Sequence, residues 1–300
     1  MKAVVIVGPT ASGKSALAIR LAKKFNGEVV SADSRQVYKG LNVGTGKVTK
    51  KEMWGVPHHL LDVVSPKKTF SAGDFVRLAR YAIVDITKRG KLPIVVGGTG
   101  FYIDALFGRI ELPEVPPNPA LRRKLEGKSA AQLFALLKKK DPKRARAMDT
   151  PSERNNAVRL IRAIEIASAS KPKNVPEFDS STSYDALWVG VSPSATVLEK
   201  KIKVRLLARM KAGMVAEARK LKREGVSYKR MRELGLEYRS LADLLENRIT
   251  KDEFITTLLS EIRRYARKQT GYWNRNRDIE WFDPKQAKNV ETTVKLWLAR

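Results

Sequence analysis

The sequence predicts an α/β protein in which a parallel sheet carries helices on both faces and is interrupted by an all-helical insertion. Three observations carry that reading. Over the first 110 residues or so, short β-rich runs (AVVIV, EVVSAD, LPIVVGG) alternate with helical patterns (KSALAIRLAKKF, SAGDFVRLARYAIVDITKRG), as right-handed βαβ units do. A glycine-rich loop, GPTASGKS, sits between the first strand and the first helix. The prolines of ELPEVPPNPALRRKL then end the alternation, and the text to about Lys173 is charged and helical with no strand pattern.

Taken in order, AVVIV is apolar throughout and reads as a strand buried on both faces. KSALAIRLAKKF and SAGDFVRLARYAIVDITKRG keep the helical period, and EVVSAD and LPIVVGG are the next two core strands. After the insertion, DALWVGVSP supplies another apolar strand candidate. One long amphipathic helix is expected through ATVLEKKIKVRLLARMKAGMVAEARKLKREG, and KDEFITTLLSEIRRYARKQTGYWNRN reads as a basic helix near the C-terminus. The expected division is a core of residues 1–112 and 187–300 around a helical insertion of residues 113–186.

The chain has 300 residues, 59 Lys and Arg against 31 Asp and Glu, two His and no Cys. Disulfides, thiol nucleophiles and cysteine-based zinc sites are excluded, and two histidines are too few for a His-based metal site. The formal charge of +28 fits a polyanionic partner, nucleic acid first; a general Lys/Arg bias fits it as well. No apolar run approaches the length of a membrane span, and the N-terminus enters a strand at once without a signal peptide, so the expected setting is the cytoplasm.

GPTASGKS, residues 8–15, fits G-x-x-x-x-G-K-[ST] with a strand before it and a helix after it, so a P-loop NTPase-like core is expected. Gly8 and Gly13 let the backbone between them, Pro9, Thr10, Ala11 and Ser12, curl its N–H groups inward. The helix N-terminus adds its dipole, Lys14 neutralises phosphate oxygens and the Ser15 hydroxyl can ligate Mg²⁺. Such loops usually hold ATP or GTP, yet the loop recognises only a diphosphate-like group. The usual second acid is missing, because the next core strand ends IVVGGTGFY, with Thr99 and no carboxylate, and the guanine-selecting motif of GTPases is absent.

Asp33 ends the second strand on the carboxyl side, where doubly wound sheets place ligands. Two roles fit that position: a catalytic base facing the loop, or a cap for the turn that follows.

Several stretches are similar to the tRNA dimethylallyltransferases, also called tRNA isopentenyltransferases, in that family's order and spacing: GPTASGKS, SADSRQVYKGLNVGTGK, GVPHHLLD, SAGDF, LPIVVGGTGFY, RLIRAIE, RLLARMKAG, GLEYR and RRYARKQTGYW. The resemblance spans nearly the whole chain and is to the shorter bacterial type, without a zinc finger. It implies that the loop holds the diphosphate of dimethylallyl diphosphate, with Mg²⁺ as cofactor, and that the acceptor is the N6 amine of the adenosine just 3′ of the anticodon in a tRNA anticodon stem-loop. Asp33 then matches the base. Arg205 matches an arginine that reaches the diphosphate, and Thr99 a threonine near the loop and the target base, although a hydroxyl closing the strand-end turn fits Thr99 as well. Ser34, Arg35 and Gln36 continue the family's D-S-x-Q motif and are implied to contact tRNA, Gln36 by its amide edge. Arg159 and Arg162, three apart on one helix face, match paired RNA-contacting arginines, while ordinary surface charge also explains them.

Arg263, Arg264, Arg267 and Lys268 form a basic cluster at helical spacing that suits RNA phosphates, and Tyr265, Tyr272 and Trp273 are expected to pack that helix down. TGYW stands where the family usually has an L-T-W-F-like run. His58 and His59 are adjacent, cannot face one metal together and read as structural. The chain is expected to act as a monomer. A small-molecule kinase, an enzyme prenylating free AMP or ATP, and a non-catalytic RNA-binding module remain the alternatives on the residues alone.

Overall fold

The five apolar residues Ala3–Val7 leave no side for water, and the strand they form lies inside the sheet. The computed structural model describes residues 1–113, 115–169 and 184–300. Its six strands are β1 (Lys2–Val7), β2 (Gly27–Ser31), β3 (His58–His59), β4 (Leu92–Val96), β5 (Asp185–Val191) and β6 (Glu280–Phe282). They form one sheet in the order β3-β2-β4-β1-β5-β6, and every neighbouring pair is parallel. Val4 pairs with Ile94 of β4 on one side and Leu187 of β5 on the other, so β1 has no open edge.

Helices cover the sheet because its strands are apolar on both faces. On one face Val4, Ile6, Ile94 and Val189 share a core with Leu17 and Leu21 of helix Lys14–Lys24 and with Val290 and Val294 of helix Ala287–Leu298. Helix Ala72–Lys88, which starts at a reciprocal Ser71/Asp74 capping box, packs on β2 and β4 with Phe75, Ala79, Ile83 and Ile86 buried. A second core lies among the helices that follow residue 195 and takes in the segment after Asp33: Val37, Tyr38 and Leu41 meet Leu206, Met214, Tyr238, Phe254 and Leu258.

The chain divides into two compact units, Met1–Ile110 with Thr182–Arg300, and Glu111–Ser181. In the second, Leu125, Leu133, Leu137, Leu160 and Ile164 form a core among short helices, three of which carry proline in the first turn. Three expectations need correction. Asp185 and Ala186, assigned to the insertion, lie in β5 opposite Lys2 and Ala3, because the ladder to β1 runs to the end of that strand. The expected single helix from Ala195 is two, Ala195–Lys211 and Met214–Arg223, separated at Gly213, whose φ of 94° a right-handed helix cannot hold. Strands β3 and β6, too short to show a period, were not expected at all. The helical text read as far as Lys173 runs at its end into residues 170–183, which lie outside the described residues.

Candidate active site

Parallel order brings three loops to one end of the sheet. β4 lies between β1 and β2, so the turn after β4 stands between the glycine-rich loop after β1 and Asp33 after β2. Backbone bonds tie the three: Gly97 N–H donates to Ile6 O (3.2 Å), Ala32 N–H to Val96 O (2.8 Å) and Thr99 N–H to Ala32 O (3.3 Å).

The loop residues Gly8, Pro9, Thr10, Ala11, Ser12, Gly13, Lys14 and Ser15 wrap the start of helix Lys14–Lys24. Gly8 has φ 140°, and a Cβ there would overlap the Val191 carbonyl of β5, so no other residue fits. Ser12 N–H closes the loop on Pro9 O (3.3 Å). The helix N-cap, Gly13, provides no side-chain cap and the first turn has no acid, which leaves the opening N–H groups and the positive dipole end for an anion. The Ser12 hydroxyl is buried without a hydrogen-bond partner. Ser15 is exposed beside it. Lys14 Nζ rests on Pro9 O at 2.6 Å; burial lowers its pKa to about 7, with Asp33 opposing the shift and Arg205 adding to it.

Asp33 fills one of its two expected roles outright. Its Oδ1 accepts the N–H groups of Arg35 (2.8 Å) and Gln36 (3.4 Å), capping the turn, while Oδ2 accepts no hydrogen bond from the described residues. Capping therefore aims the carboxylate rather than consuming it. Thr99 Oγ1 accepts the N–H of Ser34 at 3.0 Å, which joins the β4 turn to the Asp33 turn. Ser34, Arg35 and Gln36 are all half-buried. Arg35 lies over Gly235, where a Cβ would stand 2.7 Å from its Nε.

Arg205 reaches this end of the sheet from helix Ala195–Lys211, and its charge is felt at both Lys14 and Asp33. Desolvation first, then repulsion from Arg209, lowers its pKa, with the guanidinium set against Gly46 although the residue as a whole is exposed. Segment 42–46, whose Gly46 lies beside the Arg205 guanidinium, is held from the neighbouring helices: Glu217 accepts the N–H groups of Asn42 (2.9 Å), Val43 (2.7 Å) and Gly44 (2.9 Å), and Arg209 donates to Gly44 O (2.6 Å). Tyr238 donates its hydroxyl to the same Glu217 at 2.6 Å. Sequence reading did not single out Glu217, Arg209 or Tyr238, since a Glu and an Arg on a charged helix carry no local mark of what they hold.

Nor did it single out Gln269. Buried on helix Lys251–Trp273, Gln269 accepts Thr10 N–H (2.8 Å) through Oε1 and donates to Gly98 O (2.9 Å) through Nε2. Tyr265, expected to pack, is instead 37% exposed. Desolvation of its hydroxyl and the charge of Asp33 push its pKa up to about 12. It sits one turn before Gln269, on the side of the helix that faces Asp33 and Arg35. Trp273 is buried and Tyr272 bonds Asp104, so these two do pack the helix.

The remaining cations differ in freedom. Arg267 and Lys268 are exposed, Arg264 lies 3.6 Å from Glu261, and Arg263 is half-buried, 3.8 Å from Glu199. In the second unit, Arg159 is exposed and pairs with Glu153, whereas Arg162 is engaged inward: it donates to Val115 O (2.6 Å) and Glu165 (3.2 Å). Glu165 is buried, and that burial raises its pKa; Arg122, Asn118 N–H and Arg162 more than offset the effect, so the net shift is downward. His59 pairs with Glu28 (2.7 Å) and His58 with Val56 O (2.8 Å), and the two histidines lie alongside Val30 and Val29 of β2 at the edge of the sheet.

Residues 36–277 match the family model described as IPP transferase. The chain belongs to the IPP transferase family. A relative from Roseiflexus sp., named tRNA dimethylallyltransferase, is 39% identical over 98% of this chain and 98% of its own. A solved full-length tRNA isopentenylpyrophosphate transferase from Bacillus halodurans covers 99% of this family member and 97% of itself, with 35% identity and a TM-score of 0.74. A structure of a eukaryotic dimethylallyltransferase acting on tRNA covers 94% of it and 73% of itself, with 27% identity and a TM-score of 0.77. Among the described residues no helix is long and apolar enough to cross a membrane.

Proposed function

We infer that the protein is a tRNA dimethylallyltransferase: it transfers a dimethylallyl group from dimethylallyl diphosphate to N6 of the adenosine on the 3′ side of the tRNA anticodon, releasing diphosphate. The observation that carries the reading is the composition of the sheet end. A loop suited to a diphosphate faces Asp33 across a β4 turn that ends Gly-Gly-Thr, and no carboxylate occupies the place a phosphoryl-transfer enzyme needs for its metal.

The chemistry follows from charge. The C1–O bond of the allylic diphosphate breaks with its electron pair leaving on oxygen, and the N6–C1 bond forms. Lys14, Arg205 and the N–H groups opening helix Lys14–Lys24 meet the growing negative charge. The N6 proton passes to Asp33 Oδ2, the oxygen its turn does not use, and then to solvent. The amide edge of Gln36 fits the Watson–Crick edge of adenine.

No group of three or more His, Cys, Asp or Glu side chains suited to a metal occurs among the described residues. Mg²⁺ would therefore take the exposed Ser15 hydroxyl and ligand oxygens, a donor set of the hard oxygens it prefers. When bound, it neutralises diphosphate charge. The exposed Arg267, Lys268 and Arg159 suit RNA phosphates, in a cytoplasmic enzyme acting as a monomer. The test is to incubate the protein with dimethylallyl diphosphate, Mg²⁺ and unmodified tRNA and to analyse the nucleosides by mass. Isopentenyladenosine in tRNA supports the reading; product on free AMP alone, or ATP turnover without RNA, overturns it.

A further inference from the structure

The two halves of the reaction meet a side chain that belongs to neither. Gln269 lies 259 residues from Thr10 and 171 from Gly98, yet its amide spans both. Thr10 belongs to the glycine-rich loop. Gly98 precedes Thr99, which holds the Asp33 turn through Ser34 N–H. Among the described residues, the amide is the link between these two turns that a side chain supplies from outside the sheet.

The fit is tight on both sides. Gln269 is 6% exposed, so both ends of its amide are desolvated and their bonds are not exchanged freely for water. A Cβ on Gly98 would stand 2.1 Å from its Nε2, so any larger residue at that position has to displace the amide. Thr10 N–H is spent on this bond, which leaves the N–H groups at the helix opening for the anion.

Building on the transferase reading, we propose that Gln269 is a positioning residue for prenyl transfer: its amide fixes the spacing between the diphosphate loop and the β4 turn, and so between the leaving group and the base Asp33. A carboxamide is the only side chain of this length that accepts at one end and donates at the other without charge. A glutamate would keep the bond to Thr10 N–H and turn the other oxygen on the Gly98 carbonyl. A methionine of similar length would lose both bonds. Misplacement on the scale of 1 Å costs such a reaction about 10²-fold in rate.

The experiment compares the full-length wild type with Gln269→Met, Gln269→Glu and Gly98→Ala. Steady-state prenyl transfer to tRNA is read together with tRNA affinity, inorganic diphosphate affinity by calorimetry, and thermal unfolding. For Gln269→Met a fall in kcat of roughly ten- to hundred-fold is expected, with tRNA affinity within about two-fold of wild type and a cooperative unfolding transition. Gly98→Ala, which displaces the amide with Gln269 intact, is expected to show the same split. Gln269→Glu, which sets a desolvated carboxylate beside the loop and against the Gly98 carbonyl, should lose at least as much kcat as Gln269→Met and bind diphosphate more weakly than it. The proposal is overturned if Gln269→Met turns over within about two-fold of wild type, or if its only defect is weaker tRNA binding or a lower unfolding temperature. Failure of the wild type to modify tRNA would refute the transferase reading instead; the diphosphate affinities would still show whether the amide aligns the loop.

Discussion

Thr99 accepts the backbone N–H of Ser34 through its hydroxyl at 3.0 Å, so the turn after β4 holds the turn that carries Asp33. Of the two readings of Thr99 left open by the sequence, this bond fills the turn-closing one, and in the proposed reaction it is through that turn that Thr99 bears on Asp33. Thr99→Val should lose the acceptor and lower kcat by roughly ten-fold, whereas Thr99→Ser should retain most activity. Equal kcat for the two variants would separate Thr99 from the placement of Asp33.

Asp33→Asn keeps a side-chain oxygen for the N–H groups of Arg35 and Gln36, so the turn should survive while the base is lost. Turnover is expected to fall by about 10² or more with both substrates still bound. Asp33→Ala removes cap and base together and should also weaken tRNA binding through Arg35 and Gln36. Single-turnover rates beside equilibrium binding distinguish the two.

Lys14 sets a pH dependence with a definite sign. Its pKa in the folded protein is lowered to about 7 from 10.5, so between those values the unfolded chain binds more protons and stability rises with pH. Diphosphate prefers the charged form. Binding should therefore take up nearly one proton at pH 8 and little at pH 6, and affinity should decline as pH rises above about 7. Calorimetry in buffers of different ionisation enthalpy measures this uptake, and Lys14→Met should abolish it.

Arg159 and Arg162 should part company although they share a helix face. Arg159→Ala, which removes an exposed charge, is expected to reduce the slope of log tRNA affinity against log salt by roughly 0.7 to 0.9. Arg162→Ala should leave that slope nearly unchanged and cost stability of about 1–2 kcal/mol, because Val115 O and one oxygen of Glu165 lose a donor. Salt titrations and thermal unfolding of the two single variants decide it.

Arg267 and Lys268 are both exposed on the helix that carries Gln269. Replacing both with Ala should flatten the salt dependence by about one to two units while leaving diphosphate affinity as it was. An unchanged slope would make this face merely solvated.

The glycine-rich loop, the strands around it and the place of Asp33 were legible in the sequence because each is written locally. A left-handed glycine, a run of valines and an acid after a strand act within a few residues of themselves. Tertiary structure alone decided what the long helices contribute. Gln269 on the Thr10 amide, Glu217 beneath Asn42 to Gly44, Arg205 against Gly46 and Arg162 turned inward to Val115 are contacts between residues far apart in the chain or in elements whose packing no local pattern announces. In sequence these side chains are polar residues on amphipathic or charged helices, indistinguishable from their solvated neighbours. Their roles come from desolvation and from the backbone groups that the folded chain presents to them, and these exist only after β1, β2 and β4 have paired and the helices have closed over their ends.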